Sequence, residues 1–187
     1  RQSDVGGQVS SQKVATDLKG YAKNAEVLTA MRSTQTKING LLDQTKLVNN
    51  RLEMQNTGIE RVAEGTKKAR EAIANALAAG NATTLMQQLQ AAFGEVVQGV
   101  NTKSNGLYVF SGAQTSTATT TASSMADLTA APSTASLFQN DQYITTNRVD
   151  EQTNAKTGVL GDALGTPTFD AFKQIQVSRM PLEQVLL

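Results

Sequence analysis

The carboxylates near one predicted turn are the side chains in this sequence that come nearest to an acid–base or cation-binding group. Asp150 and Glu151 are adjacent, and Asp141 precedes them. Carboxylate oxygens bind hard cations, and two carboxylates can divide the roles of acid and base. Adjacent residues in a turn point their side chains apart, however, and the sequence has no histidine to assist. We therefore expect solvated turn residues here, and we predict no catalytic residue, no cofactor and no metal.

A charged run and a pair of glycines are the other groups whose spacing could serve a ligand. The run from Lys67 to Glu71 holds three basic residues and one acidic residue, which could form a docking patch. Mixed charges on a long helix are usually its solvated face, and that is what we expect. The lysine and hydroxyl that a phosphate-binding loop requires do not follow Gly158 and Gly161, so these glycines predict no phosphate site.

The composition excludes several functional classes. Of 187 residues, 39% are hydrophobic but only 4% are aromatic, which indicates an aliphatic and thin core. The lack of cysteine excludes disulfides and thiolate chemistry, and the lack of histidine removes the commonest general base. A formal net charge of +1 gives no reason to expect nucleic acid or an anionic membrane as a partner. No apolar run reaches the roughly 18 residues of a membrane span.

A heptad pattern over fifty residues, from Val27 to Ala76, organises the chain. Apolar residues recur there at alternating spacings of four and three without a proline, and eleven of the fifteen seam positions are apolar. This period is typical of a helix that packs along other helices in a coiled-coil-like bundle, and it predicts a rod roughly 75 Å long. The predicted rod packing seam consists of Val27, Met31, Ile38, Leu41, Val48, Leu52, Ile59, Val62 and Ile73, together with Thr34, Thr45, Gln55, Thr66, Ala69 and Ala76.

The long helix requires partner helices. Burying eleven apolar side chains contributes roughly 15–30 kcal/mol, whereas ordering fifty residues costs about 1–2 kcal/mol each in backbone entropy. Helical hydrogen bonds, at about 1 kcal/mol net each, narrow this gap without closing it. Gly40, Gly58 and Gly65 lie inside the helix and mark places of local weakness or of close approach.

Local signals set the ends of the first helix and predict a second. The first should begin near Leu18 after a loose lead-in, and Gly80 should end it. A second helix should run from a cap at Thr83 or Thr84 to about Lys103, antiparallel to the first across a short turn, and should cover the C-terminal half of the seam. Its predicted packing residues are Leu85, Leu89, Phe93, Val96 and Val100.

The rest of the chain predicts short elements. The Asn105–Gly106 pair is a strong turn signal, and a short extended run follows it at 107–110. From Ala113 to Ser136, nineteen of 24 residues are Ala, Ser or Thr, which predicts a surface loop or disorder. Residues 142–149 and 155–160 predict a small hairpin.

A third helix is predicted near the end of the sequence. Thr166 should cap it, with Pro167 at its first position, and Pro181 should end it. Its inward-facing residues should be Phe169, Phe172 and Ile175.

Together these elements predict a mainly α protein, an elongated rod-like helical bundle with a small β-hairpin region. The bundle contains one long helix, an antiparallel second helix and a short third helix. Residues 1–112 should form the helical rod, residues 113–165 the Ala/Ser/Thr-rich loop and hairpin region, and residues 166–187 the start of a C-terminal helical segment that returns to the rod.

Several stretches, with the long heptad helix, resemble bacterial flagellin and its shorter relative, the hook-filament junction protein. Ser10 to Val14 reads SSQKV, and Asn105 to Thr115 reads NGLYVFSGAQT, which is the more specific match. Phe138 to Asp141 before a hairpin, and Gly158 to Asp162 before a helix, resemble the small outer region of shorter family members. The resemblance covers roughly Val9 to Ile175.

The resemblance implies a non-enzymatic structural subunit, secreted to the bacterial flagellum, that self-assembles into a helical filament for motility. Its implied partners are copies of itself and other flagellar axial proteins, without nucleic acid or membrane. The alternative is the junction protein that adapts hook to filament, and a signalling coiled-coil domain comes third.

This sequence departs from the flagellin pattern in two places. Flagellins usually carry a glycine near Ser11, and their C-terminal half includes a long helix packed on the first one. This sequence opens at Arg1 and stops before such a helix. We therefore expect a truncated rod domain, in which the missing helix would cover the seam from Val27 to Leu52.

Overall fold

A computed structural model of the chain describes residues 2–148 and 152–185, with side chains described for 18–148 and 152–178. The fold is mainly α, as the sequence predicts. The helices in this described part are α1 (Gln2–Ala79), α2 (Leu85–Val100), α3 (Met125–Ala130) and α4 (Gly161–Val185), with one 3-10 turn at Ala135–Leu137. Among the same described residues, two antiparallel hairpins pair β1 (Lys103–Ser104) with β2 (Leu107–Tyr108), and β3 (Thr146–Arg148) with β4 (Asn154–Lys156).

The chain divides into two units, residues 1–47 and residues 48–187. The first unit consists of the N-terminal part of α1, and each side chain described in it, from Leu18 to Leu47, is exposed. The second unit contains the remainder of α1 and all the other elements. Both predicted boundaries, at residues 113 and 166, fall inside the second unit.

The predicted start of the first helix is wrong. We expected a loose lead-in over residues 1–11 and a capped start near Leu18, whereas α1 begins at Gln2. The lead-in contains Gly6 and Gly7, but each helical glycine costs only about 1 kcal/mol against alanine, and no proline interrupts the hydrogen-bond ladder. Extending an existing helix costs less than nucleating a new one, so the helix continues through both glycines.

The turn between α1 and α2 follows the sequence signals closely. Gly80 has a φ of +60°, the left-handed conformation that ends α1. Thr84 lies at the N-cap of α2 but makes no side-chain capping bond, and Asn81 Oδ1 instead accepts the Thr83 N–H at 3.0 Å. The helix ends at Val100, three residues before the predicted end, because the next residues enter the β1–β2 hairpin.

Phenylalanine side chains from α2, α4 and the loop between them form the centre of the second unit. The ring of Phe93 lies 5.2 Å from that of Phe169 and 5.2 Å from that of Phe172, and the Phe138 ring lies 4.7 Å from the Phe169 ring. Offset and edge-to-face pairs at these distances are the favoured aromatic geometries. As predicted, Phe169 and Phe172 face inward, with partly buried Ile175 packed against the same core.

The prediction of a surface loop or disorder for residues 113–136 is wrong about burial: most of the segment is irregular, but part of it packs into the core. This segment folds onto α2 and α4 and contains α3, whose Met125 and Leu128 are fully buried. Its buried hydroxyls are satisfied: Thr120 Oγ1 donates to the Leu137 carbonyl at 2.9 Å, and the hydroxyls of Ser111 and Thr119 bond each other at 2.7 Å. Composition alone underestimated how much of this segment is buried, because small residues with paired hydroxyls can pack closely despite their low hydrophobicity.

The last two elements differ from prediction in their ends. The β3–β4 hairpin is shorter than the predicted strands, which extended over residues 142–149 and 155–160. The last helix begins at Gly161 rather than at the predicted Thr166 cap, because Asn140 Oδ1 accepts the Asp162 N–H at 3.0 Å and caps the helix from a distant loop. Pro181 does not stop it, since α4 continues to Val185 and forgoes one hydrogen bond at the proline.

Candidate assembly surface

The side chains singled out for possible chemistry hold the fold together. Asp141 Oδ1 accepts the Ala113 N–H at 3.1 Å and the Tyr143 N–H at 2.9 Å, so this carboxylate joins two loops. Asp150 and Glu151, its proposed companions, lie outside the described residues. Within the described part of the chain, no three metal-binding side chains gather.

The glycines considered for a phosphate loop lie where two stretches of backbone approach closely. A Cβ on Gly158 would lie 2.8 Å from the Thr145 nitrogen. The Gly161 N–H donates to the Phe110 carbonyl at 2.8 Å, which fixes the start of α4 beside the β1–β2 hairpin. A Cβ on Gly161 would collide with Thr119 Cγ2, so packing requires glycine at both positions.

The charged run on α1 is divided between two faces of the helix. Lys68 Nζ donates to Glu95 Oε2 on α2 at 2.7 Å, and this hydrogen bond raises the pKa of the Lys68 ammonium. Lys67 and Arg70 lie on another side, where they line an open groove of about 450 Å³. Ile59 of α1 and Leu164 of α4 also line that groove.

In the second unit, α1 and α2 pack antiparallel through glycines. A Cβ on Gly58 would lie 2.8 Å from the Gly99 carbonyl oxygen, and a Cβ on Gly65 would lie 2.8 Å from the Ala92 carbonyl oxygen. A Cβ on Gly99 would lie 2.7 Å from the Gly58 carbonyl oxygen. Gly58 and Gly65 therefore mark close approach, which is one of the two interpretations that the sequence left open.

The face of α1 that α2 covers is rotated slightly from the predicted seam. Its buried positions are Gln55, Gly58, Val62, Gly65, Ala69 and Ala72, with Ile73 partly buried. Gly58 and Gly65 replace the predicted Ile59 and Thr66, because two helices can approach this closely only where side chains are absent. Ile59 lies at the edge, 37% exposed, and Leu52 is 38% exposed. An apolar-only pattern could not reveal this, since glycine carries no hydrophobic signal.

The residues predicted on the second helix lie at its buried face. Leu89, Phe93, Val96 and Val100 are each 0% exposed, and Leu85 is partly buried against the same core. Gln55 of α1, a polar seam residue, is 3% exposed and donates from Nε2 to the Val109 carbonyl at 3.2 Å. This bond joins α1 to the residue that directly follows β2.

In the first unit the predicted seam is an exposed apolar stripe. We use this name for Val27, Met31, Ile38 and Leu41, which are 48%, 63%, 50% and 52% exposed. Leu28 and Leu42, both more than half exposed, widen the same face. Val48, the next apolar seam residue, is half-buried and belongs to the second unit. The stripe is about half exposed in the described structure, so its role as a packing seam stays a prediction.

The two seam threonines of the first unit, Thr34 and Thr45, have their hydroxyls already satisfied. Thr34 Oγ1 donates to the Ala30 carbonyl at 3.0 Å, and Thr45 Oγ1 donates to the Leu41 carbonyl at 2.8 Å. A partner that covered these threonines would leave no hydroxyl unpaired, because each bond lies within α1. Thr34 and Thr45 are therefore compatible with a buried interface, although both are polar by composition.

Arg51 is a feature that the sequence pattern did not reveal. Its Nε is buried and, among the described residues, has no hydrogen-bond partner. Burial lowers the pKa of the Arg51 guanidinium below its usual value. Sequence patterns place arginine on the solvated side of such a helix, and only the packing of its neighbours puts this group partly out of water.

Comparison with protein-family models, with curated proteins and with solved structures found no match to this chain. No helix in the described part of the chain is both long and apolar enough to cross a membrane.

Proposed function

We propose that this chain is a structural subunit of the bacterial flagellar filament, a flagellin or a close relative. It would act outside the cell, without enzymatic activity, by packing with copies of itself and with other axial proteins. The observation that supports this best is the exposed apolar stripe on α1. A helix of 78 residues that leaves four apolar seam side chains about half exposed is suited to packing against other helices.

The packing within the second unit also supports the proposal. The glycine contacts and the Lys68–Glu95 ion pair join α2 to the second part of α1, and the phenylalanine cluster joins α4 to α2. A subunit of a polymer benefits from such a core because order within the subunit lowers the entropy that assembly must overcome.

The stretch that resembles flagellin is also a structural element of this fold. Residues 105–115 contain the β1–β2 turn, strand β2 and then Val109, Phe110 and Ser111, which are buried. Gly112 has a φ of +65°, and a Cβ there would collide with Asp141 Oδ1. Packing therefore requires these residue types in the motif, and such a structural role agrees with a structural subunit.

The proposal is tested by deleting the gene in the bacterium that encodes it and complementing the deletion. We expect the deletion strain to lose its filaments and its motility, and the wild-type gene to restore both. Complementation with Ile38→Asp plus Leu41→Asp, which places two charges in the stripe, should fail. Thr36→Asp, on the opposite side of the helix, should succeed.

Export must be separated from assembly in this experiment. The seam variant should still be found in the culture medium as monomer, which would show that it is made and secreted. A deletion strain that keeps normal filaments would refute the proposed function. Filaments rebuilt by the seam variant would instead refute the assigned role of the stripe.

A further inference from the structure

The sequence contains two Asn–Gly pairs, and their backbone conformations differ in the structure. Asn39–Gly40 lies inside α1, whereas Asn105–Gly106 forms the exposed turn between β1 and β2. Asn105 has a φ of +51° and Gly106 a φ of +77°, the two positive angles of a two-residue hairpin turn. The same dipeptide therefore occurs once in the hydrogen-bonded backbone of a helix and once in a solvent-exposed turn.

We propose that Asn105 is a site of spontaneous deamidation, through a cyclic imide formed with Gly106, and that Asn39 is protected from it. The Gly106 backbone nitrogen attacks the side-chain Cγ of Asn105. A bond from nitrogen to Cγ forms as the bond from Cγ to Nδ2 breaks, and the amide proton leaves with Nδ2 as ammonia. Water then opens the ring to aspartate or isoaspartate, so no oxidant or other co-reactant is required.

The environment of the turn favours the attack. Asn105 and Gly106 are both exposed, and within the described residues the structure gives neither the Asn105 side chain nor the Gly106 N–H a hydrogen bond. Nothing lies within 4 Å of the position that a Cβ on Gly106 would occupy. The attacking nitrogen therefore has no hydrogen bond to break, and no residue beyond its chain neighbours crowds Gly106.

The helix opposes the same reaction at Asn39. The Gly40 N–H is held by the carbonyl four residues earlier in the ladder of α1. The attack would require that bond to break and the helical dihedral angles of Asn39 to change. The open space around Gly40, where a Cβ would meet nothing within 4 Å, does not help, because the constraint lies in the backbone itself.

Each product would alter the hairpin in a distinct way. Either product adds a negative charge close to Lys103 and changes the formal net charge of the chain from +1 to 0. Isoaspartate also lengthens the backbone inside a turn that joins strands of only two residues each. The bond from the Val109 N–H to the Thr102 carbonyl, 3.1 Å long, should then be lost, whereas aspartate in normal linkage should keep it.

The test ages the purified chain in mildly alkaline buffer and follows both asparagines by peptide mass spectrometry. Trypsin releases Asn39 in the peptide 38–46, and chymotrypsin cleaves after Tyr108, close to Asn105. We expect the mass gain of amide-to-acid conversion to be several-fold larger at Asn105 than at Asn39. The matched control Asn105→Asp should show no mass gain at residue 105 and should keep the wild-type exchange rate at the Val109 amide.

Two results would overturn the proposal. One is an unchanged Asn105 in the folded chain under conditions where a synthetic peptide of residues 103–108 deamidates, which would mean that the turn protects it. The other is an equal rate at Asn39 and Asn105 in the folded chain, which would mean that structure does not discriminate between them. Neither result depends on whether the chain is a flagellar subunit.

Discussion

Adding one methyl group at a glycine of the α1–α2 contact should destabilise the second unit, whereas the same change at a nearby open glycine should stabilise it. Gly65 is the best position for this test. A Cβ there would lie 2.7 Å from Val96 Cγ2 and 2.8 Å from the Ala92 carbonyl oxygen. Gly94 on α2, with nothing within 4 Å of its Cβ position, is the matched control.

The magnitudes have opposite signs at the two sites. Overpacking a well-packed contact costs typically about 1–3 kcal/mol, and a clash with backbone belongs near the upper end because backbone cannot rotate away. Alanine in place of a helical glycine gains about 1 kcal/mol. We therefore expect Gly65→Ala to lower the free energy of unfolding by about 2 kcal/mol. Gly94→Ala should raise it by about 1 kcal/mol.

Urea unfolding followed by circular dichroism measures both changes. The two variants should have midpoints on opposite sides of the wild-type midpoint, with the same slope. A Gly65→Ala protein as stable as wild type would show that α1 and α2 are not held this close, and would refute the glycine explanation of the rotated seam. A destabilised Gly94→Ala protein would show that the open space at that position is not real.

Four further predictions concern the core, the exposed stripe, the loop segment and the charged groups. Leu89→Ala should cost about 2–5 kcal/mol in urea unfolding because Leu89 is fully buried, whereas Ile38→Ala should cost far less until a partner covers it; equal costs would contradict the burial pattern. Thermolysin should cut slowly within residues 117–128, and early cuts there would contradict the packed segment. Backbone and side-chain hydrogen bonds from Ser123, and then from Ser124, lower the pKa of Asp127. The stabilisation is therefore present above the unfolded-state pKa and is lost as pH falls through the lower folded-state pKa. Asp127→Asn should flatten the loss of stability with acid, and an unchanged pH profile would count against this role. Arg51→Met should raise the free energy of unfolding by about 1 kcal/mol because a buried nitrogen without a partner is removed, and a loss of stability would mean that Arg51 has a partner after all.

The helices could be predicted from the sequence where the signal was a period or a glycine stop. The 3.5-residue repeat indicated α1, and Gly80 with its positive φ ended it at Ala79 as expected. The apolar repeat that includes Leu89, Phe93 and Val96 likewise identified α2. These signals are local, since each depends on neighbours within one or two turns of the same helix.

The remaining features depend on partners far away in the sequence. The start of α4 is fixed by Asn140, from a loop some twenty residues earlier. The folding of residues 113–136 depends on Thr120, which bonds both the side chain of Asn101 and the Leu137 carbonyl. The exact face of α1 depends on Gly58 meeting Gly99. No local pattern contains such pairings, so composition and periodicity misplaced these features.

The candidate assembly surface could likewise be predicted only where the signal was local. The positions of the stripe on α1 could be predicted because they belong to the heptad period. The buried Nε of Arg51 and the exposed Asn105 turn required knowledge of what packs beside them.

Immunogold electron microscopy with antibodies raised against this chain tests the central proposal most directly. On cells of the bacterium that encodes it, a flagellin-like subunit predicts gold particles along the whole length of each filament. Gold confined to the point where hook meets filament would assign the chain to the junction instead. Flagellated cells that carry no gold on any part of the flagellum, while the antibody detects the protein elsewhere in the same cells, would contradict the proposed function.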